Sequence, residues 1–248
     1  MKVKLTLSLL AFLVTISVLF AQTKETRNVS TFSEISLRVP GKLFLTQGNV
    51  QKVEIEASAE ILQKIETEVD NGKLTIGSDG NLKLGDNDKI NIYVTIKDVK
   101  GLSVSGSGNI TGQGKFSAGD LGLNVSGSGS LQLDVDATDI HTSVSGSGGI
   151  DLKTKCKSYR SDVSGSGNVI VTAAIAEQAE FHVSGSGKIE ASGSAKEVKT
   201  HISGSGKILA AGLEVEKCDV QISGSGDVEI NVKNDLNATI SGSGSVSY

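Results

Sequence analysis

Residues 143–150 read Ser143-Val144-Ser145-Gly146-Ser147-Gly148-Gly149-Ile150, and the Ser-Gly-Ser-Gly at their centre also begins at Ser105, Ser126, Ser164, Ser184, Ser203, Ser223 and Ser241. The spacing runs from 18 to 21 residues, a period that signals a solenoid of stacked coils. The residue before each motif is β-branched every time: Val104, Val125, Val144, Val163, Val183, Ile202, Ile222 and Ile240. One place earlier it is polar every time: Ser103, Asn124, Ser143, Asp162, His182, His201, Gln221 and Thr239. Alternation of this kind is a strand with one buried face. Five residues beyond each first serine stand Ile110, Leu131, Ile150, Val169, Ile189, Ile208, Val228 and Val246, so a second strand leaves every corner. The glycines make the corners, because they reach unusual φ values and let neighbouring backbones approach closely; the serines then stack along the outside. Helical repeats are excluded: the 3.6-residue period is missing, and each glycine would cost a helix about 1 kcal/mol relative to alanine. The expected fold is all-β, a parallel β-solenoid of about eight coils over residues 101–248.

Residues 22–100 lack the motif but remain strand-rich, with alternating or apolar runs at 42–46, 53–57, 65–69, 74–76 and 90–96. Asp70-Asn71-Gly72 suits a tight hairpin, and residues 59–64 suit a short helical turn. A solenoid needs its first coil covered, so this region is expected to supply capping strands or irregular early coils. Ahead of it, Lys2 and Lys4 precede an apolar run from Leu5 to Phe20 and then Ala21-Gln22. That is the pattern of a secretory signal peptide at residues 1–21; about 16 apolar residues is short for a membrane span of roughly 20. No later stretch is apolar enough to span a membrane, and export is the expected fate.

Composition supports the same picture. Thirty glycines, one proline, no tryptophan and nine aromatics in all point to a core of stacked Val, Ile, Leu and Ala. Without Lys2 and Lys4 the chain holds 22 basic against 28 acidic residues, a formal charge of −6. The two signs are interspersed, which excludes the basic stripe of a nucleic-acid binder. Cys156 and Cys218 are the only cysteines. The repeat places them about three coils apart, roughly 14 Å at the strand spacing, against a disulfide limit near 7 Å. Two buried free thiols are expected.

Glycine-rich sequence invites nucleotide-binding readings, and the spacing rejects them. Gly185-Ser186-Gly187-Lys188 and Gly204-Ser205-Gly206-Lys207 are followed by Ile189 and Ile208 where a phosphate loop needs Ser or Thr. The third glycine of a dinucleotide fingerprint is missing from every copy, and no motif serine has the flanking glycines of a nucleophile elbow. The residue after each motif is Asn109, Ser130, Gly149, Asn168, Lys188, Lys207, Asp227 or Ser245, so no carboxylate ladder forms for a calcium roll. The constellation that remains is the outward column Asp162, His182, His201 on three consecutive coils, with neighbours about 4.8 Å apart. Imidazole and carboxylate are competent ligands, giving a metal- or proton-binding patch as one reading and a solvated polar face as the other. No catalytic residues and no cofactor are expected: coils of 18–21 residues leave no room for the inserted loops that build a cleft on polysaccharide-active β-helix enzymes.

Phe32-Ser33-Glu34-Ile35, Leu43-Phe44-Leu45-Thr46-Gln47-Gly48, Asn71-Gly72-Lys73-Leu74-Thr75-Ile76 and the iterated Val-Ser-Gly-Ser-Gly coils together resemble the bacterial family of putative auto-transporter adhesins with a head GIN domain. The resemblance implies a right-handed parallel β-helix and an adhesin-like role in the periplasm or on the outer surface of a Gram-negative-type cell. An autotransporter's translocator barrel is not seen after the last coil, so self-export is not expected. The function that follows is a non-catalytic binding module whose regular faces meet a surface protein or a glycan. A self-assembling envelope protein that pairs through its last coil is the alternative, and a polysaccharide-active enzyme the more distant one.

Overall fold

The computed structural model describes residues 23–248 except 81, 83, 86 and 87; the signal-peptide segment lies outside the described residues. Strands β1 (Thr23–Thr26), β2 (Glu34–Leu37), β3 (Lys42–Gln47) and β4 (Lys52–Ala57) lead into a short helix, α1 (Ala59–Lys64), followed by β5 (Ile65–Asp70), β6 (Lys73–Ser78) and β7 (Asn91–Ile96). Ser58 caps α1 by accepting from the Ile61 N–H at 3.4 Å, and the helix lays Ile61 and Leu62 onto the core. Asn71 and Gly72, with φ of 49° and 76°, make the β5–β6 turn through two successive left-handed residues, as a tight hairpin requires. Most of the strands were legible as alternating runs; β1 and β2 were not.

This region is continuous with the repeats. β2 and β3 pair in parallel with β6 and β7 on one side. On the other side they pair in parallel with the first two repeat strands, β8 (Gly101–Gly106) and β9 (Asn109–Ser117). The strands β1, β4 and β5 pair antiparallel, which turns the stack away from further parallel growth at this end.

The coils then follow in order: β10 (Asp120–Gly127), β11 (Ser130–Asp136), β12 (Asp139–Gly146), β13 (Gly149–Gly165), β14 (Asn168–Gly185), β15 (Lys188–Gly204), β16 (Lys207–Gly224), β17 (Asp227–Gly242) and β18 (Ser245–Ser247). From β13 onward each full coil is one bent strand. Neighbouring coils are parallel and in register at every motif, for example Ser145 beside Ser164 and Ser184 beside Ser203. The β-solenoid of about eight turns is therefore the fold. Coil lengths differ, and the difference is absorbed opposite the motif, where the register shifts between Cys156 and Ser158, between Ala174 and Gln178, and between Ala210 and Glu214.

The two glycines of the motif are there for separate reasons. Gly204 has φ of +117°, and a Cβ on it would lie 2.7 Å from the Gly185 carbonyl oxygen. Gly206 is not in the positive-φ region; a Cβ there would lie 2.3 Å from Val183 Cγ1. The first glycine makes the bend, and the second lets the valine column of one coil seat under the next. Between them the Ser205 N–H donates to the Gly185 carbonyl at 2.9 Å, a bond repeated from coil to coil.

Inward side chains form continuous aliphatic columns, with Val163, Val183, Ile202 and Ile222 all buried. In the middle of the stack the columns admit Tyr159 and Phe181, packed edge to face at 6.0 Å, and the Tyr159 hydroxyl meets Thr142 Oγ1 at 3.1 Å. Cys156 and Cys218 are buried and free, as the repeat register required. Cys156 stands beside Ile175, and Cys218 stands between Val198 and Leu236. Burial pushes the Cys156 thiol up to about 11 and that of Cys218 to about 12.

Candidate functional site

With the interior filled by apolar side chains, recognition chemistry is left to the outward columns. Those on the strand preceding each motif carry a mixed set of acidic, basic and imidazole groups. Position two before the first serine gives Ser143, Asp162, His182, His201 and Gln221, and position four before it gives Gly122, His141, Arg160, Glu180, Lys199 and Asp219. Strand alternation turns both columns to the same side, and in-register stacking sets them side by side.

The surface they form is concave. A groove of about 660 Å³ runs past Lys100, Asp120, Asp139, His141, Arg160 and Glu180. A second hollow of about 520 Å³ continues from Glu180 past His182, Lys199, His201 and Asp219. Gly122 and Ser158 contribute little bulk to the floor of the first, so the longer residues around them stand up as walls.

Arg160 organises the junction. Its Nε and Nη2 donate to Asp162 Oδ2 and Oδ1, each at 2.9 Å, and its Nη1 donates to Glu180 Oε2 at 2.7 Å. Gln178 Nε2 holds the other Glu180 oxygen at 2.8 Å. A guanidinium engaged by two carboxylates in this way ties three side chains on two neighbouring coils together. His141 Nε2 lies 3.4 Å from Asp162 Oδ2, and His182 Nε2 lies 3.9 Å from Glu180 Oε2. Partial burial, then the Arg160 charge, hold the His182 imidazole below its ordinary value.

The column Asp162, His182, His201 is in register, Asp162 beside His182 and His182 beside His201, with the two rings 6.0 Å apart between centroids. Both Asp162 oxygens accept from Arg160, and among the described residues no group of three or more His, Cys, Asp or Glu side chains is placed to hold a metal ion.

His141, Arg160 and Glu180 were missed in the sequence reading, although the same alignment on the motif exposes them as the column two residues earlier. With His141 included, all three histidines of the chain lie along this groove.

A family model described as putative auto-transporter adhesin, head GIN domain, matches residues 31–190 and 162–248. No curated protein matches the chain. Among solved structures, a putative lipid binding protein from Parabacteroides distasonis superposes with a TM-score of 0.82 at 23% identity, covering 92% of this chain and 96% of that one. A putative adhesin from Parabacteroides merdae gives 0.80 at 20% identity, with 92% and 95% covered. Another from Parabacteroides distasonis gives 0.79 at 20%, with 91% and 96% covered. At these identities the likeness extends to the fold.

Proposed function

We propose that this chain, which belongs to the family of putative auto-transporter adhesins with a head GIN domain, is an exported, non-catalytic binding module whose partner lies in the groove along the Arg160 wall. The observation that carries the reading is the continuity of that groove: two hollows share Glu180 and present a charged, hydrogen-bonding surface across several coils. A rigid face of this kind offers many weak contacts at fixed spacing, which suits an extended polar partner such as a glycan or a surface-protein segment. The carboxylates at its centre are committed to Arg160, an arrangement that holds a surface in shape and leaves no free acid–base pair at that point. One structural neighbour is named for lipid binding. Here the solenoid interior is packed with side chains, so the polar wall favours a headgroup or sugar over an acyl chain. Among the described residues no helix is long and apolar enough to cross a membrane.

The test is binding of the purified protein to glycan arrays and to intact cells, with Arg160→Glu compared against Lys153→Glu outside the groove. Loss with the first change and retention with the second is expected. Equal binding by both variants removes the groove from consideration. Protease shaving of intact producing cells reports where the module works: cleavage puts it on the outer surface, and protection puts it in the periplasm.

A further inference from the structure

The sequence contains three histidines, and the fold gathers all of them on one wall. His141, His182 and His201 come from β12, β14 and β15 and line the two hollows that meet at Glu180. Between the first and the last lie three coil intervals, roughly 14 Å. Histidine is the side chain whose charge changes between about pH 5 and about pH 8, so every such group in the chain titrates along this groove.

Each imidazole faces charged groups on the strands beside it. His141 has Asp139 on its own strand and Arg160 and Asp162 on β13; on β10, Gly122 brings no side chain and Asp120 stands beside Asp139. His182 lies between Asp162 on β13 and His201 on β15, with Glu180 on its own strand and Arg160 and Lys199 to either side of Glu180. His201 has His182 on one side and Gln221 on the other, with Lys199 on its own strand and Asp219 beside Lys199. With neutral imidazoles the groove sets Lys100, Arg160 and Lys199 against Asp120, Asp139, Asp162, Glu180 and Asp219, a net charge of −2. Protonating the three histidines makes it +1.

We propose, on the reading that this groove is the binding face, that its ligand is a polyanionic glycan, held in mildly acidic medium and released as the medium approaches neutrality. A protonated imidazole has two donors and no acceptor, so acid turns three positions of the wall into sites for anionic oxygens. The two nearest carboxylates, Asp162 and Glu180, are already engaged by Arg160, which limits how much of the added charge the wall absorbs itself. The span from His141 to His201 favours a chain carrying repeated carboxylate or sulfate groups over a single compact anion, which could meet only one imidazole at a time. By linkage, a ligand that prefers the protonated groove must also draw protons onto it when it binds.

The test is calorimetric titration of the purified protein with heparin oligosaccharides, which stay ionised across the range, and with dextran oligosaccharides of similar length as the uncharged comparison, at about pH 5 and about pH 7.5. Heparin is expected to bind about tenfold or more tightly at the lower pH, with proton uptake at about pH 6 seen as a heat that varies with the ionisation enthalpy of the buffer. Dextran is expected to show neither effect. The combined variant His141→Gln, His182→Gln, His201→Gln, its fold checked by far-UV circular dichroism, is expected to bind heparin as weakly at the lower pH as the parent does at the higher. No heparin binding at the lower pH, or a pH dependence that survives in the combined variant, overturns the proposal. Heparin binding that is equal at both pH values but weakened by Arg160→Glu overturns the acid gate and leaves the groove as the binding face. Heparin binding indifferent to Arg160→Glu and to the combined variant removes the groove, and the proposal with it.

Discussion

Replacing Gly204 by alanine is expected to destabilise the protein far more than the gain of one methyl group suggests, and the structure separates the contributions. At φ of +117° the backbone lies where only glycine is comfortable, which costs another residue on the order of 1–3 kcal/mol. The added methyl would also sit 2.7 Å from the Gly185 carbonyl oxygen, and overpacking against fixed backbone costs about 1–3 kcal/mol more. Gly206→Ala isolates the packing cost, since its clash is with Val183 and its φ is not positive. Gly72→Ala isolates the dihedral cost: φ is +76° and nothing lies within 4 Å of the new Cβ. Ser203→Ala, on the exposed side of the same corner, is expected within about 0.5 kcal/mol of the parent. Urea denaturation followed by far-UV circular dichroism ranks the four. With a slope of about 3 kcal/mol/M, Gly204→Ala should lower the midpoint by about 1 M and Gly206→Ala by roughly half as much. A Gly204→Ala midpoint equal to that of the parent, or a Gly72→Ala loss as large as that of Gly204→Ala, refutes the account of the corner as a close backbone seam.

Partial burial and the Arg160 charge lower the His182 pKa in the folded chain, so the unfolded chain takes up the proton more readily. The stability this residue contributes is complete above its ordinary value of 6.5 and is lost as the pH falls below it. Thermal melting of His182→Gln should accordingly show a flatter profile between about pH 7 and about pH 5, and an unchanged profile would rule the linkage out. Removing the guanidinium with Arg160→Gln should raise the His182 pKa in an NMR titration while costing less than about 1 kcal/mol of stability, since the pairs are largely solvent-exposed. Both cysteines should resist a thiol reagent at about pH 8 in the native protein and react fully once it is unfolded; rapid native labelling of either would contradict their burial. Tyr159→Phe should cost about 1 kcal/mol, because Thr142 loses the phenol and keeps only the Arg160 carbonyl at 3.4 Å; a larger loss by calorimetry would mean that the hydroxyl pair carries more of the interior than this geometry allows.

The solenoid was readable because its signal is repeated: a single β-branched residue before a glycine says little, but eight at one register define a buried column. The free thiols followed from that register alone. β1 and β2 were less visible, being four residues each and paired with partners distant in sequence. The groove was half visible. Asp162, His182 and His201 share one column and attract attention as ligands, whereas Arg160 and Glu180 stand in the column beside it. Their relation depends on side-chain reach, because a guanidinium long enough to touch both Asp162 and Glu180 links two columns and two coils at once. The concavity depends on where bulk is missing, at Gly122 and Ser158, and a pattern read one position at a time does not report shape.

The absence of a bridge between Cys156 and Cys218 has a mechanical consequence. Each coil is held to the one before it by backbone hydrogen bonds and side-chain stacking, with no covalent tie across the stack. A pull applied along the stack would therefore peel coils away in succession, each releasing roughly 60 Å of extended chain. A molecule loaded between its two ends would yield in steps, lengthening before it failed.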